Sequence, residues 1–180
     1  GVVCGLDEVG RGPLAGPVVA ACVVIPFEKR HLDFVADIQD SKKVSAKKRE
    51  ILYDKIMEHF PCAVAEVSPY EIDELNILQA SLLGMKLAHD EVGNIDYSLV
   101  DGNKSPALSS QSMTVIKGDQ KCISIAAASI IAKVSRDLFM EELSFKFPNY
   151  SWEKNCGYGT KKHLEAIKKF GITYQQRLKY

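Results

Sequence analysis

A chain of 180 residues that is 46% hydrophobic can bury one substantial core, which excludes a mainly disordered chain and gives no reason to expect a second domain. No apolar run approaches the length of a membrane span and no signal-peptide pattern opens the chain, so a soluble, cytoplasmic monomer is expected. The 23 Lys and Arg balance 23 Asp and Glu, and a net charge of zero would argue against a nucleic-acid partner if the charges were evenly spread.

An apolar stretch over residues 2–6 reads as a buried strand. Asp7-Glu8 follows it directly, and then Gly10-Arg11-Gly12-Pro13-Leu14-Ala15-Gly16, whose glycines let the main chain approach a ligand closely. An acid pair, an arginine and glycines at a strand end suit a metal ion facing a phosphate. In an extended strand Asp7 and Glu8 point to opposite faces, so both serve one site only if the chain bulges there or one contributes its backbone carbonyl. Residues 17–25 are nearly continuously apolar and read as a second strand. Asp40, beside Ser41, reads on its own as a cap or turn residue. Ser45 caps a helix reaching about residue 60, with Ile51, Leu52, Ile56 and Met57 on one face. Lys42, Lys43, Lys47, Lys48 and Arg49 make its start strongly basic.

Residues 62–67 alternate like a third strand. Ser68-Pro69 opens one long helix to about residue 91, with Ile72, Leu75, Leu78, Leu82 and Leu83 as its apolar stripe and Gly93 as its stop. Residues 95–100 read as a fourth strand ending in Asp101-Gly102, and 113–116 as a short fifth ending near Asp119. Residues 123–145 form an Ala-rich helix able to lie close on a sheet, which Phe147-Pro148 breaks. A last amphipathic helix over 160–170 carries Lys161, Lys162, Lys168 and Lys169. Basic segments at 42–49 and 154–179, set against an acidic stretch between 63 and 101, let a neutral chain present a basic face. Three strands in succession, then strands alternating with helices, imply a mixed sheet covered on both sides.

Other chemistry is poorly supported. Five widely spaced cysteines, an odd number, read as reduced thiols. His31, His59, His89 and His163 lack metal-ligand spacing and read as surface or helix-face residues. A dinucleotide-binding loop is excluded because three residues separate Gly12 from Gly16, Pro13 interrupts, and Asp7-Glu8 would repel a pyrophosphate.

Residues 5–17 resemble the signature of type 2 ribonuclease H, the ribonuclease HII family, and further segments fit in order: Asp40-Ser41-Lys42-Lys43, Val100-Asp101-Gly102, Lys117-Gly118-Asp119-Gln120-Lys121, residues 124–137, and Gly157-Tyr158-Gly159-Thr160. The resemblance implies an α/β, ribonuclease H-like mixed five-stranded sheet flanked by helices. Residues 1–150 would be the catalytic core and 151–180 a C-terminal helical segment packed on it. It implies an endonuclease that cuts the RNA strand of RNA/DNA hybrids and the 5′ side of single ribonucleotides in duplex DNA.

Within that resemblance Asp7, Glu8, Asp101 and Asp119 are the catalytic carboxylates. Oxygen ligands without His or Cys select Mg²⁺ or Mn²⁺, and two such ions about 4 Å apart suit an in-line phosphodiester displacement. Asp7 and Asp101 are expected to be shared ligands, Glu8 a ligand to one ion, and Asp119 the ligand nearest the water or leaving group. Asp137 is the alternative fourth acid. Lys42 or Lys43 would contact a phosphate, with Lys121, Lys133 and Arg136 as secondary candidates. Gly10, Arg11 and Gly12 would sense the ribose 2′-hydroxyl through main-chain groups, and Tyr158 would stack on the adjoining deoxyribose. The rival readings are a ribonuclease HIII-like hybrid nuclease, a relative that carries an extra N-terminal domain, and a non-catalytic nucleic-acid binder. Residues 175–180 are given no role.

Overall fold

Every residue of Val18–Val24 (β2) is buried, as expected for a strand with apolar side chains on both faces and a helical layer over each. The computed structural model describes residues 1–179. Around β2 it forms a mixed five-stranded sheet. In spatial order the strands are Cys62–Val67 (β3), β2, Val3–Val9 (β1), Tyr97–Asp101 (β4) and Gln111–Val115 (β5). β1 and β3 run antiparallel to β2, whereas β4 is parallel to β1 and β5 to β4.

The pleat of β1 sorts the two layers. Cys4 and Leu6 join a cluster with Met85 and Ala88, so even-numbered positions face the helix Ile77–Val92. Gly5 faces the opposite way, toward the start of Ile123–Lys146. That second face is filled by Ala21, Val23, Leu52, Ile56 and the Ala126–Ile131 stretch of the long helix. A third cluster of Ala15, Met140, Tyr150, Trp152 and Ala166 docks the C-terminal residues on the core.

The helices in chain order are Ala46–His59 (α1), Pro69–Leu75 (α2), Ile77–Val92 (α3), Gly118–Lys121 (α4), Ile123–Lys146 (α5), Trp152–Asn155 (α6) and Lys161–Phe170 (α7). The single long helix expected from residue 69 to 91 is broken into α2 and α3. Asn76 causes the break. It adopts a positive φ of 76°, which asparagine tolerates better than most residues, and its side chain accepts the Gln79 N–H at 2.9 Å to cap α3. The apolar stripe runs across the break and hides it from periodicity. Residues 26–44, for which the sequence suggests no element, hold three short 3₁₀ turns. No helix among the described residues is long and apolar enough to cross a membrane.

His89 and His163 lie on the inner faces of α3 and α7. Both are buried. Each has ring partners that satisfy it: Asp90 and Ser110 for His89, Trp152 and the Tyr158 carbonyl for His163.

At Gly5 the sheet and α5 lie in close contact. A Cβ there would overlap the Ser124 carbonyl and the Ile125 nitrogen, which belong to backbone and cannot move aside cheaply. Gly5→Ala should therefore lower unfolding free energy by about 1–3 kcal/mol or more, measured by urea denaturation. An unchanged midpoint would show that α5 can lift off β1 without cost.

Candidate active site

β1 extends further than the apolar pattern suggests and takes in both acids. Its ladder with β2 is unbroken, Asp7↔Ala21 and Glu8↔Ala20, so the bulge considered from the sequence is absent. By the pleat, Asp7 belongs to the α5 face and Glu8 to the α3 face. Their side-chain carboxylates nonetheless meet, because parallel pairing with β4 stops at Leu6↔Val100. Beyond that pair no ladder separates the two faces on this edge, and the longer Glu8 side chain can reach round the sheet end. One carboxylate oxygen each from Asp7, Glu8 and Asp101 lies within 4.8 Å of the other two.

The electrostatics of this cluster are unfavourable without a cation. Burial above all, then the charges of Glu8, Asp101 and Asp119, push the Asp7 carboxyl well above the usual carboxylate range. Glu8 is also raised, by burial and by Asp101, against a lowering by Arg11. The Arg11 guanidinium stands 3.9 Å from Glu8 Oε1 and is half exposed, so it is a weak counter-charge. Glu8 Oε2 is buried with no hydrogen-bond partner. An orphaned carboxylate oxygen beside two further carboxylates fits a hard divalent cation.

Asp101 Oδ1 accepts the Gly118 N–H at 2.8 Å and the Asp119 N–H at 3.4 Å, which fixes α4 over the end of β4. Lys117, in a left-handed conformation with φ 54°, makes the turn into α4. Asp119 is half-buried and lies outside the three-acid set. Burial first, then the Asp40 and Asp101 charges, raise its pKa, and Lys42 opposes them. Asp40 is itself almost fully buried. It caps the turn Ser41–Lys43 by accepting the Lys42 N–H, while Ser41 and Ser129 bond through their hydroxyls at 2.8 Å. The Asp-Ser-Lys-Lys segment is thereby tied to α5. Lys43 and Lys121 line a cleft of about 310 Å³ with Asp40 and Asp119. A smaller cleft of about 80 Å³ on the other side is lined by Glu8, Arg11, Ser81, Asp101 and Lys104.

The glycine loop closes the site from the third side. Gly10 has φ 93°, and a side chain there would collide with Arg136. A Cβ on Gly12 would meet only Tyr158, at 3.2 Å from its Cε1, so Gly12 and the half-exposed Tyr158 share one surface. Gly157 is pressed on the loop, its carbonyl accepting the Leu14 N–H at 2.8 Å.

Arg136, considered from sequence as a phosphate contact, is instead buried and donates to the Pro17, Ala15 and Cys156 carbonyls. Asp137 pairs with Lys133 at 2.9 Å and also accepts from Cys156 Sγ, away from the three acids. Sequence reasoning gave no role to the C-terminal residues, yet Gln175, Gln176 and Arg177 are buried against the glycine loop. Arg177 donates to the carbonyls of Gly10, Arg11, Gly16 and Pro17. Only their position in space, which no local pattern encodes, distinguishes these residues from a polar tail.

A family model described as Ribonuclease HII matches residues 4–180. The chain is 48% identical over 178 residues to the Ribonuclease HII of Wolbachia sp. subsp. Brugia malayi (strain TRS), covering 98% of this chain and 86% of that one. It is 51% identical over 179 residues to the Ribonuclease HII of Wolbachia pipientis subsp. Culex pipiens (strain wPip), covering 98% and 89%. The crystal structure of the ribonuclease H2 from Pyrococcus horikoshii OT3 matches with a TM-score of 0.78 at 27% identity, over 100% of this chain and 94% of that one.

Because Asp7 and Glu8 bind their protons more tightly folded than unfolded, they stabilise the cation-free protein below the ordinary carboxylate range, about pH 4, and that contribution is lost as pH rises through their raised titration. Without divalent cations the Tm should therefore fall with rising pH, and Asp7→Asn should recover about 2–4 °C of it near neutrality. Millimolar Mg²⁺ should raise the Tm of the parent more than that of Asp7→Asn. Equal responses of the two proteins in thermal shift would remove Asp7 from the cation site.

Proposed function

The chain belongs to the ribonuclease HII family, a metal-dependent family of hydrolases acting on RNA/DNA hybrids, and on that premise we propose that it also cuts the 5′ side of a single ribonucleotide in duplex DNA, by hydrolysis assisted by two Mg²⁺ or Mn²⁺ ions. The observation that carries the reading is the meeting of Asp7, Glu8 and Asp101 around the unsatisfied Glu8 Oε2. Asp7, Glu8 and Asp101 would hold the cations between them, and Asp119, at the edge of this set, would complete it. Cations bound by these oxygens supply Lewis acidity for attack of water on the phosphodiester and for departure of the sugar oxygen.

The remaining roles fall to the chain's own groups. Lys43 lines the 310 Å³ cleft and Lys42 acts on Asp119 beside it, both in the segment that Ser41 ties to α5, where they attract backbone phosphates. The exposed lysines of α7 extend that basic surface on the Tyr158 side. Main-chain groups of Gly10, Arg11 and Gly12 meet the 2′-hydroxyl, and Tyr158, which shares their surface, stacks on the next deoxyribose. In this reading residues 1–150 are the catalytic core, and 151–180 are the segment that brings Tyr158 to it. Since water is the nucleophile, the products carry a 3′-hydroxyl and a 5′-phosphate.

Asp7→Asn and Asp101→Asn should each abolish Mg²⁺-dependent cleavage while duplex binding in a gel-shift or anisotropy assay stays within a few fold, because they remove ligands rather than phosphate contacts. Asp119→Asn should be severe and Asp137→Asn mild. Near-normal turnover by Asp7→Asn, or the reverse order for the second pair, would refute these assignments.

Tyr158→Ala should lose more activity on a duplex with one ribonucleotide than on a continuous RNA/DNA hybrid, since the stack needs a deoxyribose at the junction. The comparison is of kcat/KM on the two substrates, with product ends typed by phosphatase and ligase treatment. Equal losses, or cyclic phosphate ends from the parent, would contradict the proposal.

A further inference from the structure

Residues 175–177 lie along the glycine loop as an added edge. The Gly16 N–H donates to the Gln175 carbonyl at 2.9 Å and the Arg177 N–H to the Leu14 carbonyl at 2.8 Å, on either side of the isolated bridge Ala15↔Gln176. Past this edge, the Arg177 side chain is 6% exposed and turned into the loop. Nε donates to Gly16 O at 3.0 Å, Nη1 to Arg11 O at 3.1 Å, and Nη2 to Gly10 O at 2.6 Å and Pro17 O at 3.2 Å. One planar cation thus gathers carbonyls from both ends of the loop. Arg136 adds a second layer by donating to Pro17 O and Ala15 O.

The direction of those carbonyls matters because a trans peptide is a rigid plane in which C=O and N–H point opposite ways. The Gly10 carbonyl shares its plane with the Arg11 N–H, and the Arg11 carbonyl shares its plane with the Gly12 N–H. Drawing both carbonyls inward onto one guanidinium therefore turns the N–H groups of Arg11 and Gly12 away from the protein interior. Among the described residues neither of these N–H groups has a hydrogen-bond acceptor. Gly12 itself lies on the surface it shares with Tyr158, so its N–H is free for a ligand there.

We propose that Arg177 is a positioning residue for sugar recognition: by fixing the Gly10 and Arg11 carbonyls it presents the Arg11 and Gly12 N–H groups to the ribose 2′-hydroxyl. This rests on the reading of residues 10–12 as the sugar sensor. Arginine is required rather than any cation, because four acceptors spread over one loop match a planar fork with several fixed donors. A lysine ammonium concentrates its donors at one point.

The test is a ratio, which partial unfolding leaves unchanged. In an Asp101→Asn background, where nothing is expected to be cut, dissociation constants are measured by anisotropy for two duplexes. They are identical except that one carries a single ribonucleotide and the other is all deoxyribose. The Asp101→Asn protein with Arg177 intact should prefer the ribonucleotide duplex. Arg177→Met should reduce that preference by about tenfold or more and Arg177→Lys by less, while affinity for the all-deoxy duplex stays within about twofold. If Arg177→Met does not fold, Arg177→Lys carries the test, with an expected loss of about threefold. An intact preference in Arg177→Lys, and in Arg177→Met where it folds, would overturn the role of Arg177. Equal affinity of the Arg177-containing protein for the two duplexes would overturn the sugar-sensing reading of residues 10–12 itself.

Discussion

Like-charged carboxylates confined where water is scarce set the terms for the rest of this molecule. Each of Asp7, Glu8 and Asp101 would be cheaper in solvent, and Asp7 resists ionisation for that reason. What holds them together is the stiffness of the sheet. Parallel pairing of β1 with β4 brings both strands to the same level at Leu6 and Val100, so the next residue of each is an aspartate at the same edge. Gly5, two residues earlier, lets the start of α5 lie directly on β1. That contact carries α4 over the strand ends, where the Gly118 and Asp119 N–H groups offset part of the charge on Asp101. The remaining deficit, visible at Glu8 Oε2, matches what a divalent cation supplies.

How much of this could be read from the sequence follows the range of the interactions involved. The sheet and its mixed character came from apolar runs and their order, which are local signals. The acid segment was visible because Asp7-Glu8 ends an apolar run and Asp101 ends another. The geometry that joins Asp7 to Glu8 was not, since alternation alone places them on opposite faces and only the end of the β4 ladder removes the barrier between them. Asn76 escaped notice for a related reason. The apolar stripe continues through it, so periodicity reports one helix where a single positive-φ residue makes two. Arg136 was misjudged because a polar residue on an amphipathic helix looks the same in sequence whether it faces solvent or a buried acceptor.

His163 also shows how a buried polar group can shape a surface. Trp152 donates its indole N–H to His163 Nε2 at 3.2 Å, which assigns the proton to Nδ1 and makes Nδ1 the donor to the Tyr158 carbonyl at 2.8 Å. The neutral ring is thus satisfied on both sides. The Tyr158 backbone is pinned from beneath while its side chain stays half exposed beside Gly12. The stacked Tyr150 and Trp152 rings, 5.0 Å apart, fill the space under this link.

The acid cluster and the glycine loop accordingly rest on different supports. The acids depend on the sheet and on α4 and α5, all formed by residues before 150. The loop at 10–17 and Tyr158 depend on carbonyl acceptors gathered by Arg136 and Arg177 and on residues after 150. Arg177 closes a separation of 167 residues onto Gly10, so the surface that Gly12 shares with Tyr158 is complete only when the chain's last described segment is in place. Cation binding, by contrast, draws on groups that the tail does not touch. On the proposed reading, changes in the tail should alter which nucleic acid is recognised before they alter whether a cation is bound, and changes at the strand ends should do the reverse. That division lets a single small domain combine a rigid, strained charge cluster with a loop whose peptide planes are set by a few hydrogen bonds.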